Sequence, residues 1–176
     1  MRTIEAGRVT LEPQTAEHAA EMFGVLSDPA IYTYENSPPP SVEWLRTRFE
    51  KLETRRSADG TELWLNWVVR LHSAQLIGYV QATVFADGRA DIAYEFCSAY
   101  WGLGLAREAA EALIRELVDQ YRVTRFTAVA KSANERSLRL LGRLHFKPAP
   151  SHMLDRYEIE ADETLLHRDV RSTDAL

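Results

Sequence analysis

The sequence predicts an α+β domain, a mixed sheet carrying helices on both faces, and three observations predict it. The chain has 176 residues, 45% of them hydrophobic, the size and apolar content of one globular domain spanning residues 1–176. Residues 63–71, 76–85 and 90–97 are consecutive β-rich runs separated by His72-Ser73-Ala74 and Asp87-Gly88 turn signals, which read as an antiparallel meander. The pattern then changes to a glycine turn, a long amphipathic helix and the buried-strand run 125–130, a βαβ-like crossover where parallel pairing is expected.

The remaining elements follow in order. Residues 9–13 alternate apolar and polar side chains and run into a turn at Pro13, a first strand. Thr15 can cap a helix whose apolar residues Ala19, Met22, Phe23 and Leu26 recur at helical spacing until Ser27-Asp28-Pro29 stops it. Residues 31–40 mix Tyr32 and Tyr34 with three prolines, a semirigid loop that either lines a pocket or covers the core edge. Ser41 opens a second helix with Val42, Leu45, Phe49 and Leu52 on one stripe. In the helix after the glycine turn, Ala106, Ala110, Leu113, Ile114, Leu117 and Val118 share a face. Asn134 begins a further helix with Leu138, Leu141 and Leu144 inward, and weaker strands are expected near 153–159 and 164–170.

Composition excludes several functions. Twenty-one Arg and Lys against 26 Asp and Glu leave a net charge of −5, which opposes nonspecific nucleic-acid binding through phosphate neutralisation. A single cysteine, Cys97, permits no intrachain disulfide and no thiolate metal cage, and it suits a reducing cytoplasm. His18, His72, His145, His152 and His167 show no ligand-like spacing, so no metal is expected. The N-terminus lacks the apolar core of a secretion signal, and no apolar run approaches the ~20 residues of a membrane helix.

Chemistry concentrates at Gly102-Leu103-Gly104. The glycines let the backbone bend tightly and approach a ligand, and the following helix start leaves N–H groups without intrahelical partners, donors that suit a phosphate. Arg107 in the first turn opposes the helix dipole unless an anion arrives. The plainer alternative is a tight turn and nothing more. A P-loop would need a lysine that this turn lacks. A dinucleotide fingerprint would put its third glycine at Arg107, and residues 125–130 lack the acid that would hold a ribose.

The run Tyr100-Trp-Gly-Leu-Gly-Leu-Ala-Arg-Glu-Ala109, followed at helix-plus-strand distance by Asn134-Glu-Arg-Ser137 and the segment to Phe146, resembles the GNAT superfamily of acetyl-coenzyme A-dependent N-acetyltransferases. Within it the chain is similar to the Rim-type branch of ribosomal-protein N-terminal acetyltransferases, over about residues 9–170. The resemblance implies a central, twisted, mostly antiparallel sheet with a splayed parallel strand pair. It implies acetyl-coenzyme A as acyl donor. Main-chain N–H groups of Leu103, Gly104, Leu105, Ala106 and Arg107 would hold its pyrophosphate, and backbone near Phe96 and Cys97 would pair with pantetheine in the gap. Asn134 is a coenzyme contact, an N-cap, or both.

Acyl transfer needs a neutral amine, yet an α-amine titrates at ~8 and a lysine-like amine at ~10.4, so a proton has to leave. Glu95 is the candidate base. A carboxylic acid of ordinary pKa ~4.3 is a poor direct base, which favours a water relay; the alternative is a solvated carboxylate on the sheet. Ser137 is the candidate acid for the departing thiolate. Many relatives place a tyrosine where this chain has Leu141, and glycine where it has His145; a polar residue in the first helical turn is the alternative for Ser137. Cys97 reads as core rather than as an acyl-carrying nucleophile, and the tryptophans as packing, with Trp101 shaping the turn. The acceptor is a primary amine, a small molecule or a protein N-terminus, which Glu35, Asp155, Glu158, Glu160, Asp162 and Glu163 can draw if it is cationic. A homodimer is compatible with the sequence. The rival function is a noncatalytic acyl-coenzyme A-binding sensor or partner module on the same fold.

Overall fold

The computed structural model describes residues 1–34 and 37–170. Its strands are β1 (Ile4–Ala6), β2 (Val9–Pro13), β3 (Glu62–Leu71), β4 (Leu76–Phe85), β5 (Arg89–Phe96), β6 (Arg125–Lys131), β7 (Lys147–Pro148) and β8 (Glu163–Asp169), and its α-helices are α1 (Ala19–Leu26), α2 (Val42–Leu52), α3 (Leu105–Tyr121), α4 (Glu135–Arg143) and α5 (Ser151–Leu154). The strands form one eight-stranded sheet in the order β1-β2-β3-β4-β5-β6-β8-β7. Every neighbouring pair is antiparallel except β5 and β6. The mixed sheet, the meander of β3 to β5 and the parallel crossover through α3 are as the sequence predicts.

Alternation assigns the two faces. Leu11, Leu65, Trp67, Val80, Ala82, Ile92 and Phe126 point to one side and pack on Ala109, Ala110, Leu113, Ile114 and Leu117 of α3. Val68, Leu76 and Tyr79 point to the other and pack on Ala19, Met22 and Leu26 of α1 and Leu45 and Phe49 of α2. Burying an aliphatic side chain of this size stabilises by roughly 1.5–3 kcal/mol, so these two layers hold the helices against the sheet.

The predicted caps are in place where a side-chain oxygen can meet a free amide. Ser41 accepts from Trp44 N at 3.1 Å and Asn134 from Ser137 N at 3.1 Å. Thr15 stands at the N-cap of the short 3-10 turn Ala16–His18 that leads into α1. Three features differ from the sequence reading. Strand β1 was not anticipated; Gly7, at φ 54°, turns it back onto β2. The strand expected near 153–159 is instead the helical turn α5 followed by a loop, because Pro150 opens a helical turn and Lys147–Pro148 already takes the edge of β8. Pro29–Thr33, which leads into the aromatic loop and takes up its first residues, forms a 3-10 turn, with Asp28 accepting from Ala30 N.

One break in the sheet matters most. β5 and β6 pair only at Arg89↔Arg125, Ala90↔Phe126 and Asp91↔Thr127. Beyond Asp91, β5 stays on β4 as far as Phe96, while β6 stays on β8 as far as Lys131. The two parallel strands therefore part into a wedge. Its closed end is pinned by the Asp91 carboxylate, which accepts from Thr127 Oγ1 and, at 3.1 Å, from the Tyr157 hydroxyl.

Candidate active site

A cleft of about 630 Å³ runs through this wedge from one face of the sheet to the other. On the α3 and α4 side it is lined by Tyr94, Asn134, Ser137 and Leu141; on the α1 and α2 side by Glu95, Tyr79, Gln81, Asn66, Gln14 and residues of the aromatic loop. The strand period explains how adjacent residues serve opposite faces: Tyr94 and Glu95 are neighbours in β5, so one points to α4 and the other to α2.

Glu95 lies across from Tyr79 in the β4–β5 register, so the carboxylate and the phenol share the α1 and α2 face. Burial, and next the Glu95 charge, push the Tyr79 phenol well above its ordinary range. Tyr32, whose hydroxyl donates to the Leu26 carbonyl at 2.7 Å, is pushed up to about 12 by burial, with the charges of Glu95 and Asp28 adding to it. Both phenols thus stay protonated at neutral pH, and the Tyr32 hydrogen is already given to Leu26.

Ser137 sits in the first turn of α4 with its amide capped by Asn134, and its Oγ is 3.0 Å from the Tyr94 hydroxyl. Burial pushes Tyr94 up to about 12, so this too is a neutral hydroxyl donor. Sequence reasoning missed Tyr94. Its alternation with Glu95 was a usable signal, since a tyrosine beside a candidate base on a strand faces the other side of the same gap. Leu141 is buried, 1% exposed, and lines the same wall.

The glycine turn follows β5 through the short 3-10 turn Ser98–Tyr100. Gly102 and Gly104 adopt φ of 77° and 81°, the left-handed region that other residues enter at a cost. Gly104 is the N-cap of α3, so Leu105, Ala106 and Arg107 carry the first-turn N–H groups that lack intrahelical acceptors. Arg8, from the β1–β2 turn, donates to the Leu103 carbonyl at 3.1 Å and pairs with Glu108 at 2.9 Å. This brace was not legible in the sequence. Arg107 pairs with Glu111 at 2.8 Å one turn further on, which offsets its unfavourable place on the helix dipole.

Phe96, Cys97 and residues 102–107 lie outside the lining of the cleft itself. Trp101 Nε1 donates to the Phe96 carbonyl at 2.7 Å, while the Arg136 guanidinium stacks 3.5 Å over the Trp101 ring, tying the turn to α4. Cys97 donates its N–H to the Ile77 carbonyl and accepts from Tyr100 N, so its main chain is used inside the protein. Ladder alternation leaves the Phe96 N–H facing the open edge of β5. His145, at the exit of α4, has φ 66°, the conformation that glycine takes most easily.

Of the acidic residues considered for drawing an amine, Glu160, Asp162 and Glu163 instead hold Lys131, and Glu35 lies outside the described residues. Among the described residues no group of three or more His, Cys, Asp or Glu side chains is placed to hold a metal, and no helix is long and apolar enough to cross a membrane.

Comparison with known proteins matches the geometry. A family model described as an acetyltransferase (GNAT) domain fits residues 8–147. An uncharacterised N-acetyltransferase, p20 of Bacillus licheniformis, is 27% identical over 150 residues, covering 84% of this chain and 83% of that protein. A ribosomal-protein-S5-alanine acetyltransferase from Vibrio fischeri has a similar fold, with a TM-score of 0.75 at 18% identity over 97% of each chain. RimL, a ribosomal L7/L12 α-N-protein acetyltransferase in complex with coenzyme A, gives 0.76 at 14% identity, covering 96% of this chain and 98% of that one.

Proposed function

The chain belongs to the GNAT acetyltransferase family, and we propose that it moves the acetyl group of acetyl-coenzyme A directly to a primary amine, on a peptide or protein N-terminus or on a small molecule. One observation carries this reading. Where β5 and β6 part, a carboxylate from one face and a hydroxyl from the other, Glu95 and Ser137, line the same gap.

The residues fit the donor. Residues 103–107 offer main-chain N–H groups at a helix N-terminus for a pyrophosphate, and at Gly104 an added Cβ would stand 3.4 Å from Arg8 Nη2, so the bare backbone leaves that space open. The Phe96 N–H, on the open edge of β5, suits an extended pantetheine arm, and Asn134 adds a polar contact beside Ser137. The neighbour RimL is described in complex with coenzyme A, which supports the assignment.

The chain's own groups then have separable tasks. Acetyl-coenzyme A supplies an acyl carbon activated by a thiol leaving group. Glu95, through a water, takes one proton from the amine as its nitrogen forms the new C–N bond. As the C–S bond breaks, Ser137 gives its hydroxyl proton to the sulfur while the Tyr94 hydroxyl donates to Ser137 Oγ, and the proton that left the amine returns through solvent to Ser137, so both groups end as they began. No acyl group rests on Cys97. Lone Cys97 suits a reducing cytoplasm. The test is amine-dependent thiol release from acetyl-coenzyme A. Ser137→Ala and Glu95→Gln are each expected to lower turnover about 100-fold with little change in acetyl-coenzyme A affinity; unchanged turnover in both removes their roles.

A further inference from the structure

The face of the sheet under α1 and α2 carries a row of side chains that the transfer chemistry does not use. Gln14 N donates to the Asn66 carbonyl, Asn66 is paired with Gln81 across β3 and β4, and Gln81 with Ala93 across β4 and β5. Strand alternation turns all four to the side of Glu95, and Gln14, Asn66, Gln81 and Ala93 all line the cleft. Ala93 is exposed although it lies in an interior strand, so among the described residues it stays open and the row begins at the gap.

From Ala93 to Gln14 the row crosses three strand spacings, about 14 Å at about 4.8 Å each. At its far end hydrogen-bonding capacity is left over. Gln14 is 2% exposed and its Nε2 has no partner among the described residues. Directly behind it Arg55 donates to the Gln14 carbonyl and keeps Nη1 buried, likewise without a partner. Buried donors of this kind are rare, and leaving them unmade is costly. Both are donors only, so what they await is an oxygen.

Resting on the acetyl-transfer reading above, we propose that this carboxamide row is the acceptor subsite, and that it selects an elongated amine carrying an acyl oxygen at its far end over a polyamine of the same length. The reactive nitrogen lies over Ala93 beside Glu95. The chain runs across Gln81 and Asn66, whose carboxamides both donate and accept and so match amide groups along it. The terminal oxygen accepts from Gln14 Nε2, within the positive field of Arg55. Allowing for the reach of the Gln14 side chain, the span suits an extended chain of about three peptide units. A polyamine offers no acceptor and leaves Gln14 and Arg55 as they are.

The experiment compares trialanine amide, trialanine and spermidine as acceptors for the purified full chain with acetyl-coenzyme A, reading thiol release. The wild type is expected to favour the two alanine compounds over spermidine by tenfold or more in kcat/KM, about 1.4 kcal/mol. Gln14→Leu should remove that preference, and Gln14→Glu should reverse it. A lead of trialanine over its amide assigns the contact chiefly to the charge of Arg55, and equal rates assign it to Gln14; both support the subsite. Equal use of all three acceptors by the wild type, or an unchanged preference in Gln14→Leu, overturns it. If Gln14 instead turns its amide oxygen to Arg55 and closes the row on itself, Gln14→Leu lowers Tm and slows all acceptors alike, which also overturns it. Failure of thiol release with every acceptor in the wild type strikes the acetyl-transfer reading instead.

Discussion

The proposed donor and acceptor sides of the site are built from different materials. The proposed donor side, which lies beside the cleft, rests on main chain: two left-handed glycines, a helix N-terminus and an open strand edge. The proposed acceptor side rests on side chains from β3, β4 and β5 and from Gln14 just after β2, beneath α2 and the aromatic loop. Main-chain recognition tolerates almost any sequence that keeps the backbone shape, and so suits a ligand common to a family. Side-chain recognition changes with each substitution, and so suits the partner that differs between relatives.

That contrast can be broken by substitution. The largest separation is expected from Gly104→Val. A β-branched residue at φ 81° is strained, and its added atoms crowd Arg8, so acetyl-coenzyme A affinity should fall about 10–30-fold while acceptor KM stays within about twofold. Calorimetric titration and acceptor kinetics read the two separately; an acceptor effect as large as the donor effect would erase the division. Gln81→Leu should do the reverse, raising acceptor KM about five- to tenfold with no change in acetyl-coenzyme A affinity.

A smaller effect sharpens the comparison at the seam. Asp28 accepts from Ser98 N at 2.6 Å and from Ala30 N, tying the loop on the acceptor side to the turn after β5. Those hydrogen bonds, first of all the one from Ser98, hold its carboxyl below the ordinary carboxylate range. A depressed folded-state pKa means that the stabilisation is complete above the unfolded value of ~3.9 and is lost as pH falls through the folded one. Asp28→Ala should therefore cost about 1 kcal/mol at pH 7, and its difference from wild type should shrink below about pH 4, as read by denaturant unfolding. A difference that grows in acid would contradict the assignment.

The same division explains what the sequence made legible. The glycine turn, the caps at Ser41 and Asn134 and the meander of β3 to β5 are local signals, and each stands where the residues place it. Glu95 and Ser137 could be named singly, but their meeting at one gap depends on where β5 and β6 stop pairing, which no local pattern records. The row from Gln14 to Ala93 depends on the register of four strands, and Arg8 reaches Leu103 across 95 residues of chain. The strand expected at 153–159 failed for a related reason. Sheet edges are competitive, and Lys147–Pro148 takes the place beside β8, leaving Tyr157 to turn inward onto Asp91.

The central claim is that this cleft is an acetyl-coenzyme A site, and thermal unfolding of the purified protein with added ligand tests it most directly. Binding to the native state alone stabilises by mass action, about 2.7 kcal/mol at free ligand ~100 times Kd, which moves the midpoint of a domain this size by roughly 5–10 °C. Such a shift is expected with acetyl-coenzyme A and none with adenosine triphosphate or NAD at the same concentration. No shift at millimolar acetyl-coenzyme A, or an equal shift with all three, would contradict it.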